Sequence, residues 1–294
     1  VETIPCNTCG HQTFTSLFLK NSPLGETFSI VSCNQCGLVQ VNPQPSLEAV
    51  KKYYDDSYFT QRTERGYDNY YSSELRKEIS RVFQLNLKDL DFFKWEKNRK
   101  KQNDSGKTLS SLDIGCAAGY FVSYMKERGY EAKGIEIADG PVQFARESLG
   151  LSIFQDNFLE WDLDFKHQFD VITLWATIEH LHKPKETLEK IKKHLLPGGI
   201  LILSTCRYGL LAKRKGLHWR YLNVPEHLYY YSFKGLKQVL VSIGYHSPKA
   251  FTYGSGLTSR KNASLFFRLA KIFCDRFVKW FQMGDMMVFS VLKD

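Results

Sequence analysis

Between residues 107 and 206, apolar and polar positions alternate in blocks of two kinds. Short apolar runs fall near 109–114, 131–137, 152–155, 169–175 and 199–205. Stretches with an apolar residue every three or four positions fall near 119–129, 140–149 and 184–196, the last closed by Leu195-Leu196-Pro197-Gly198-Gly199. The first kind predicts buried strands and the second amphipathic helices. Regular alternation of the two predicts a mostly parallel sheet with helices on both faces. Downstream, a helix near 232–243 leads to a strand near 246–252, and a last strand covers Met286–Leu292. Between these strands, 262–282 reads as a long amphipathic helix. Phe266, Leu269, Phe273, Phe277 and Trp280 share one face, with Arg268, Lys271, Asp275 and Lys279 largely on the other. Packing on the sheet or on a second subunit is the expected use of that apolar face; lying on an anionic membrane is the alternative.

Upstream, the pattern predicts a strand over 13–19, a turn over 21–25 and a strand over 27–32. Ser46 is placed to cap a helix running to Tyr54. From Ser73 to Lys101 the apolar residues Leu75, Ile79, Val82, Phe83, Leu87, Leu90 and Phe93 keep helical spacing, and 97–106 is a charged linker. The expected organisation is a small ribbon over 1–45, a helical connection over 46–106 and a large domain over 107–294. Cap insertions are expected in that domain at 207–231 and 257–283.

Composition narrows this little. A hydrophobic fraction of 43% is ordinary for a globular chain, and no apolar run reaches the ~18 residues that span a bilayer. The N-terminus shows no basic segment with an apolar core, so no secretory signal is expected. A net charge of +9 favours anionic partners without choosing among nucleic acid, phosphorylated substrates and membrane surfaces. Four of the seven cysteines form two Cys-x-x-Cys pairs, Cys6/Cys9 and Cys33/Cys36, each followed by glycine. Four thiolates at that spacing suit a closed tetrahedral zinc site with a structural role. Cys116, Cys206 and Cys274 read as buried thiols. Such cysteine usage fits a reducing cytoplasm, the expected location, with peripheral membrane contact through 262–282 as the variant.

The richest segment for chemistry is Asp113-Ile114-Gly115-Cys116-Ala117-Ala118-Gly119 followed by Tyr120 and Phe121. A strand ends in an acid, a turn of small residues follows, and a helix begins. One strand later Glu136 stands at a strand end, and Gln155-Asp156-Asn157 follows the third strand of the series. Phe169-Asp170-Val171-Ile172-Thr173-Leu174 precedes Glu179-His180-Leu181, and Leu196-Pro197-Gly198-Gly199 approaches the fifth strand. In these motifs the chain resembles the class I S-adenosylmethionine-dependent methyltransferases, strongly over 107–206 and weakly over 225–294. That resemblance implies a Rossmann-like α/β fold with a seven-stranded, mostly parallel sheet. Ala117 departs from it, standing where many relatives have glycine. A dinucleotide fingerprint would need Gly-x-Gly-x-x-Gly, which is missing here.

The resemblance implies S-adenosylmethionine as cofactor and places its site. Small residues Gly115, Cys116, Ala117 and Gly119 let the backbone approach the methionine and sugar, with Tyr120 and Phe121 behind them. Asp113 would receive the amino group, Glu136 the ribose hydroxyls and Asp156 the adenine amine, next to Asn157. Ile137 or Phe158 would flank the ring, and Trp175 would border the methyl group. Candidates near the acceptor are Glu179, His180 and His182 after the fourth strand. Arg207, Tyr208, His218, Trp219, Arg220 and Pro225-Glu226-His227-Leu228 follow the fifth. His180 or His227 is the expected base, because histidine titrates near working pH. Some relatives hold a divalent metal here with Glu-x-x-Glu-His, but Ala176 replaces the first Glu, leaving Glu179, His180 and His227 as a partial set. Arg207, Lys213, Arg214, Lys215 and Arg220 are expected to overhang an anionic acceptor.

The segment Cys33-x-x-Cys36-Gly37-Leu38-Val39-Gln40-Val41-Asn42-Pro43-x-Pro45, with Tyr53-Tyr54 and Tyr58-Phe59, resembles zinc-ribbon methyltransferases of bacterial surface-polysaccharide pathways. By that resemblance the acceptor is a sugar or glycan hydroxyl, nucleotide- or lipid-linked. An RNA methyltransferase and a non-catalytic S-adenosylmethionine-binding module are the alternatives. Few Lys or Arg in the ribbon speak against RNA.

Overall fold

A computed structural model describes residues 2–54, 56–61, 69–102, 106–162, 167–257 and 264–294. It opens with strands β1 (Phe14–Asn21), β2 (Thr27–Cys33) and β3 (Val39–Val41), then short helices α1 (Leu47–Lys51) and α2 (Asp56–Thr60). Ser46 caps α1 as expected, its side chain accepting from Ala49 N at 3.2 Å. The expected helical run from Ser73 is two helices, α3 (Ser73–Asp89) and α4 (Phe92–Gln102). Asp91 breaks it with a φ of 56°, a left-handed conformation that aspartate tolerates better than most residues. Its carboxylate pairs with Lys249 at 2.7 Å.

The large domain follows the predicted alternation: β4 (Ser110–Ile114), α5 (Tyr120–Glu127), β5 (Glu131–Glu136), α6 (Asp139–Glu147), β6 (Ser152–Gln155) and β7 (Phe169–Trp175). Then come a 3-10 turn (Ile178–His180), α7 (Pro184–His194), β8 (Leu195–Cys206), α8 (Leu210–Lys215), β9 (Tyr229–Tyr230) and α9 (Phe233–Ser242). β10 (His246–Tyr253), α10 (Leu265–Trp280) and β11 (Met286–Leu292) complete the chain.

Seven strands form the main sheet in the order β10-β11-β8-β7-β4-β5-β6. β4 to β8 pair in parallel, and β11 is antiparallel to both its neighbours. This is the mostly parallel sheet that the pattern predicted, with the seven strands that the resemblance implied. Central strands read as unbroken apolar runs because both faces are covered: Val171, Ile172, Leu174, Leu201, Ile202 and Leu203 are fully buried.

The ribbon is not closed on itself. Its sheet has the order β1-β2-β3-β9, so Tyr229 and Tyr230 from the far half of the chain supply the fourth strand. The pairs are Val39 with Tyr230 and Gln40 with Tyr229, and Gln44 donates to the Tyr229 hydroxyl at 3.0 Å. Residues expected in a cap over the cavity therefore tie the two sheets together.

Candidate functional site

The carboxyl ends of the parallel strands converge on a cavity of about 1020 Å³. Brought together there are Gly115 and Ala117 after β4, Glu136 and Ile137 after β5, Asp156, Asn157 and Phe158 after β6, and Trp175 at the end of β7. The loop after β4 makes its turn with Gly115 at φ 67°, Ala117 at 45° and Gly119 at 73°. Gly115 is also sterically required: a Cβ there would stand 2.5 Å from Thr177 Cγ2. Ala117 holds a left-handed conformation that favours glycine, and its N–H donates to Glu136 Oε2 at 2.9 Å. The other oxygen, Oε1, accepts from Ile137 N at 2.8 Å and Ala138 N at 3.0 Å. Burial pushes the Glu136 carboxyl up while these three amides pull it down, and the net direction is up. Three of about four acceptor positions are thus taken by backbone, so a ribose diol accepted on both hydroxyls must displace at least one amide. Asp156 accepts from the N–H of Asn157 at 2.7 Å.

Five expected cofactor residues do not line the cavity. Asp113 is buried one layer below and accepts from Thr173 Oγ1 at 2.6 Å. Alternation along β4 turns its side chain away from the rim. Burial is the main force that raises its carboxyl to about 8, with the Glu136 charge adding and the Thr173 hydroxyl opposing. Cys116 packs with Val122, Val142 and Ile153 behind the loop. Gly119 lies under Leu151, whose Cδ1 a Cβ would meet at 2.7 Å. Tyr120 donates to Tyr70 O at 2.6 Å, and Phe121 packs against Phe83 and Trp175. These five residues shape the loop from behind, while the other eight line the cavity. Backbone turn, carboxylates at two adjacent strand ends and a buried aromatic at Phe158 fit an adenosyl group in size and chemistry.

Glu179, His180 and His227 meet on the acceptor side of the same cavity, with ligand-capable atoms all within 4.8 Å of one another. His180 Nδ1 lies 2.8 Å from the carbonyl of Glu226 and 2.7 Å from the Tyr54 hydroxyl. His227 Nδ1 lies 2.9 Å from the carbonyl of Tyr221. A carbonyl only accepts, so His227 Nδ1 donates to Tyr221 O and its basic lone pair is on Nε2; His180 Nδ1 stands between a carbonyl, which accepts, and the Tyr54 hydroxyl, which can donate. Glu179 is 1% exposed, and its carbonyl accepts from Leu228 N at 2.8 Å. No local sequence pattern signals the contact between Tyr54 and His180. Tyr54, Tyr58, Phe59, Tyr70, Ile79, Val82 and Phe83 wall much of the cavity, so the segment read only as a helical connection supplies the apolar wall.

The sequence model of a family described as "Methyltransferase domain" matches residues 67–246, more than half of the chain. The chain belongs to this methyltransferase family. A ubiquinone biosynthesis O-methyltransferase of Haemophilus ducreyi is 31% identical over 110 residues, covering 34% of this chain and 47% of that protein. The mitochondrial ubiquinone biosynthesis O-methyltransferase of Schizosaccharomyces pombe is 30% identical over 139 residues, 44% of this chain and 48% of that one. The chain thus spans about half the length of the curated relatives it matches. Among solved structures, an S-adenosylmethionine-dependent methyltransferase of Archaeoglobus fulgidus aligns with a TM-score of 0.47 at 16% identity, over 72% of this chain and 99% of that one.

Around this methyltransferase domain the remaining expected residues are more scattered. Of the basic residues expected over the acceptor, Arg220 alone among Arg207, Lys213, Arg214, Lys215 and Arg220 lines the cavity. Arg207 instead donates to Gly284 O at 3.2 Å. His182 lines the cavity with Nε2 3.0 Å from Pro45 O, and burial lowers it. Outside the family match, Cys6, Cys9, Cys33 and Cys36 gather as one cluster, with Sγ separations of 3.4 Å (Cys6 to Cys36) and 3.6 Å (Cys9 to Cys33). Zn–S bonds of about 2.3 Å in a tetrahedron put sulfurs about 3.8 Å apart, so the cluster needs only a small expansion to hold the ion. Both knuckles turn through glycine, with Gly10 N bonded to Cys6 O at 2.8 Å and Gly37 N to Cys33 O at 2.9 Å.

Proposed function

We propose that the chain is an S-adenosylmethionine-dependent O-methyltransferase whose acceptor carries its hydroxyl on a largely apolar body. One observation carries this reading: Glu179, His180 and His227 bring ligand-capable atoms within 4.8 Å of one another in the cavity that also contains the loop after β4. A hydroxyl must lose a proton as it is methylated, whereas a neutral amine already offers a lone pair, so a built base favours oxygen. Relatives named for O-methylation in ubiquinone biosynthesis agree with that choice. Within this class the surface-polysaccharide resemblance points to a sugar or glycan hydroxyl, and the aromatic and aliphatic walls favour its lipid-linked form.

S-adenosylmethionine would supply an electrophilic methyl group on its sulfonium sulfur. Gly115 and Ala117 offer close backbone approach. Glu136 and Asp156 would offer acceptors to the nucleoside, Ile137 or Phe158 would flank its ring, and Trp175 would border the methyl group. Tyr54 and the carbonyls of Tyr221 and Glu226 hold the imidazoles. One of the two imidazoles would take the acceptor proton, and the nearby Glu179 carboxylate would stabilise the imidazolium that results. Holding the hydroxyl in line with the methyl group supplies much of the rate. Cys6, Cys9, Cys33 and Cys36 would hold a structural zinc that closes the ribbon.

A tritiated-methyl assay against lipid-linked glycans, free nucleotide sugars, quinol precursors and RNA tests the reading. Label in a lipid-linked or apolar hydroxyl compound is the expected result. Label in RNA, or cofactor binding without turnover on any fraction, overturns it.

A further inference from the structure

Helix α10 faces the protein with its more polar side. Lys279 pairs with Asp89 of α3, and Asp275 accepts from Ser255 through N at 3.1 Å and Oγ at 2.6 Å. Thr252 donates to the carbonyl of Val278 at 3.3 Å. The opposite arc is apolar and uncovered: Leu265, Phe266, Leu269, Phe273, Phe277 and Trp280 are 44–84% exposed. No residue of α10 is buried. The expected packing of this face on the sheet is therefore corrected, because ion pairs and hydrogen bonds fix the helix the other way round. Aromatics that each bury about 150–250 Å² when covered make this patch larger than the roughly 300–600 Å² usual on a monomer.

We propose that this face of α10 docks on the surface of an anionic lipid bilayer. Arg268 and Arg276 are exposed on the helix, and its one acid, Asp275, is engaged inward with Lys271 and Ser255. At 100° per residue Arg276 falls between Leu265 and Leu269 on the apolar arc. A second copy of the chain seated on this arc would bury that guanidinium with no acid of the helix left to meet it. At a bilayer the same side chain extends to the phosphates while its stem and the aromatics enter the acyl boundary. Among the described residues no helix is long and apolar enough to cross a membrane, so the contact is peripheral. Tyr253 and Met286, which line the cavity, pair with each other on β10 and β11 at the two ends of the insertion carrying α10. Docking thus brings the acceptor cavity close to the lipid, a consequence that rests on the proposed acceptor; the docking itself does not.

The test is co-sedimentation of the full chain with phosphatidylglycerol vesicles and with phosphatidylcholine vesicles. Expected is strong pelleting on the anionic vesicles, falling at least tenfold in Phe266→Asp/Phe273→Asp and weakened by raised salt. Arg276→Glu should lose affinity for phosphatidylglycerol alone. Both positions of the double variant are exposed, and unchanged S-adenosylmethionine affinity reports that it is folded. Equal pelleting of wild type and double variant overturns the proposal. So does a dimer in sedimentation velocity that the double variant dissolves while neither protein binds vesicles. Vesicle binding with no methylation of any lipid-linked acceptor would keep the docking surface and remove only the proposed acceptor.

Discussion

The imidazoles of His180 and His227 meet edge to face, with ring centroids 4.6 Å apart and planes at 88°. They come from segments 47 positions apart, and each is pinned through Nδ1 to a carbonyl of the segment preceding β9. In the proposed reaction two histidines so held would act as a pair, one taking the acceptor proton and the other fixing its approach.

Substituting either histidine with alanine should therefore lower kcat by about 10²–10⁴-fold, the usual contribution of a positioned base, with donor affinity nearly unchanged. Tyr54→Phe removes a hydroxyl 2.7 Å from His180 Nδ1 while leaving the imidazole in place, and should lower kcat less. Steady-state kinetics with isothermal titration of S-adenosylmethionine separates the effects. Full turnover in both alanine variants would exclude either residue as the required base.

Glu136→Gln should act on the donor side. The carboxylate gathers three backbone amides from the loop after β4 and the start of α6. Charge-assisted hydrogen bonds contribute about 1.5–3 kcal/mol each, so one such loss corresponds to roughly 10–100-fold weaker S-adenosylmethionine binding. Acceptor KM should stay unchanged. Calorimetric titration measures this, and an unaltered Kd would show that Glu136 holds the loop without touching the nucleoside.

The main sheet was legible because fully buried parallel strands read as uninterrupted apolar runs, and its turn because only small residues fit between β4 and Thr177. The side chains pointing into the cavity were harder to read. Asp113 and Glu136 both belong to strand ends, yet alternation sinks one and presents the other. Helical spacing gave the two faces of α10 but not which faces inward, since that depends on Asp89, 190 positions from Lys279. The contact between Tyr54 and His180 and the pairing of β9 with β3 join distant segments whose local patterns carry no trace of each other.

That pairing makes the ribbon a support for the acceptor site. Val41 N donates to Leu228 O at 2.9 Å, and Leu228 N donates to Glu179 O at 2.8 Å, one residue beyond His227. With the proposed zinc in place, its removal by a chelator, or the substitution Cys36→Ser, should loosen β3 and with it His227. The expected outcome is a fall in kcat larger than the change in S-adenosylmethionine affinity, because Glu136 and Asp156 follow β5 and β6, which do not belong to the ribbon sheet. Metal content, turnover and donor titration on one sample test this; full turnover in zinc-free protein would sever the link.

Asp113 offers a test by pH. Burial lifts its folded value to about 8, against about 3.9 in an unfolded chain. Between those values the native state holds a proton that the unfolded state has released. Its contribution to stability is therefore fully present below about pH 4, declines as pH rises and is lost by about pH 8. Asp113→Asn removes the ionisation while keeping an oxygen for Thr173. In the ligand-free protein the variant should thus gain in Tm relative to wild type between about pH 5 and pH 8, after which the difference levels off. Melting both proteins across that range cancels the titrations they share, and parallel curves would show that Asp113 is ionised throughout in the fold.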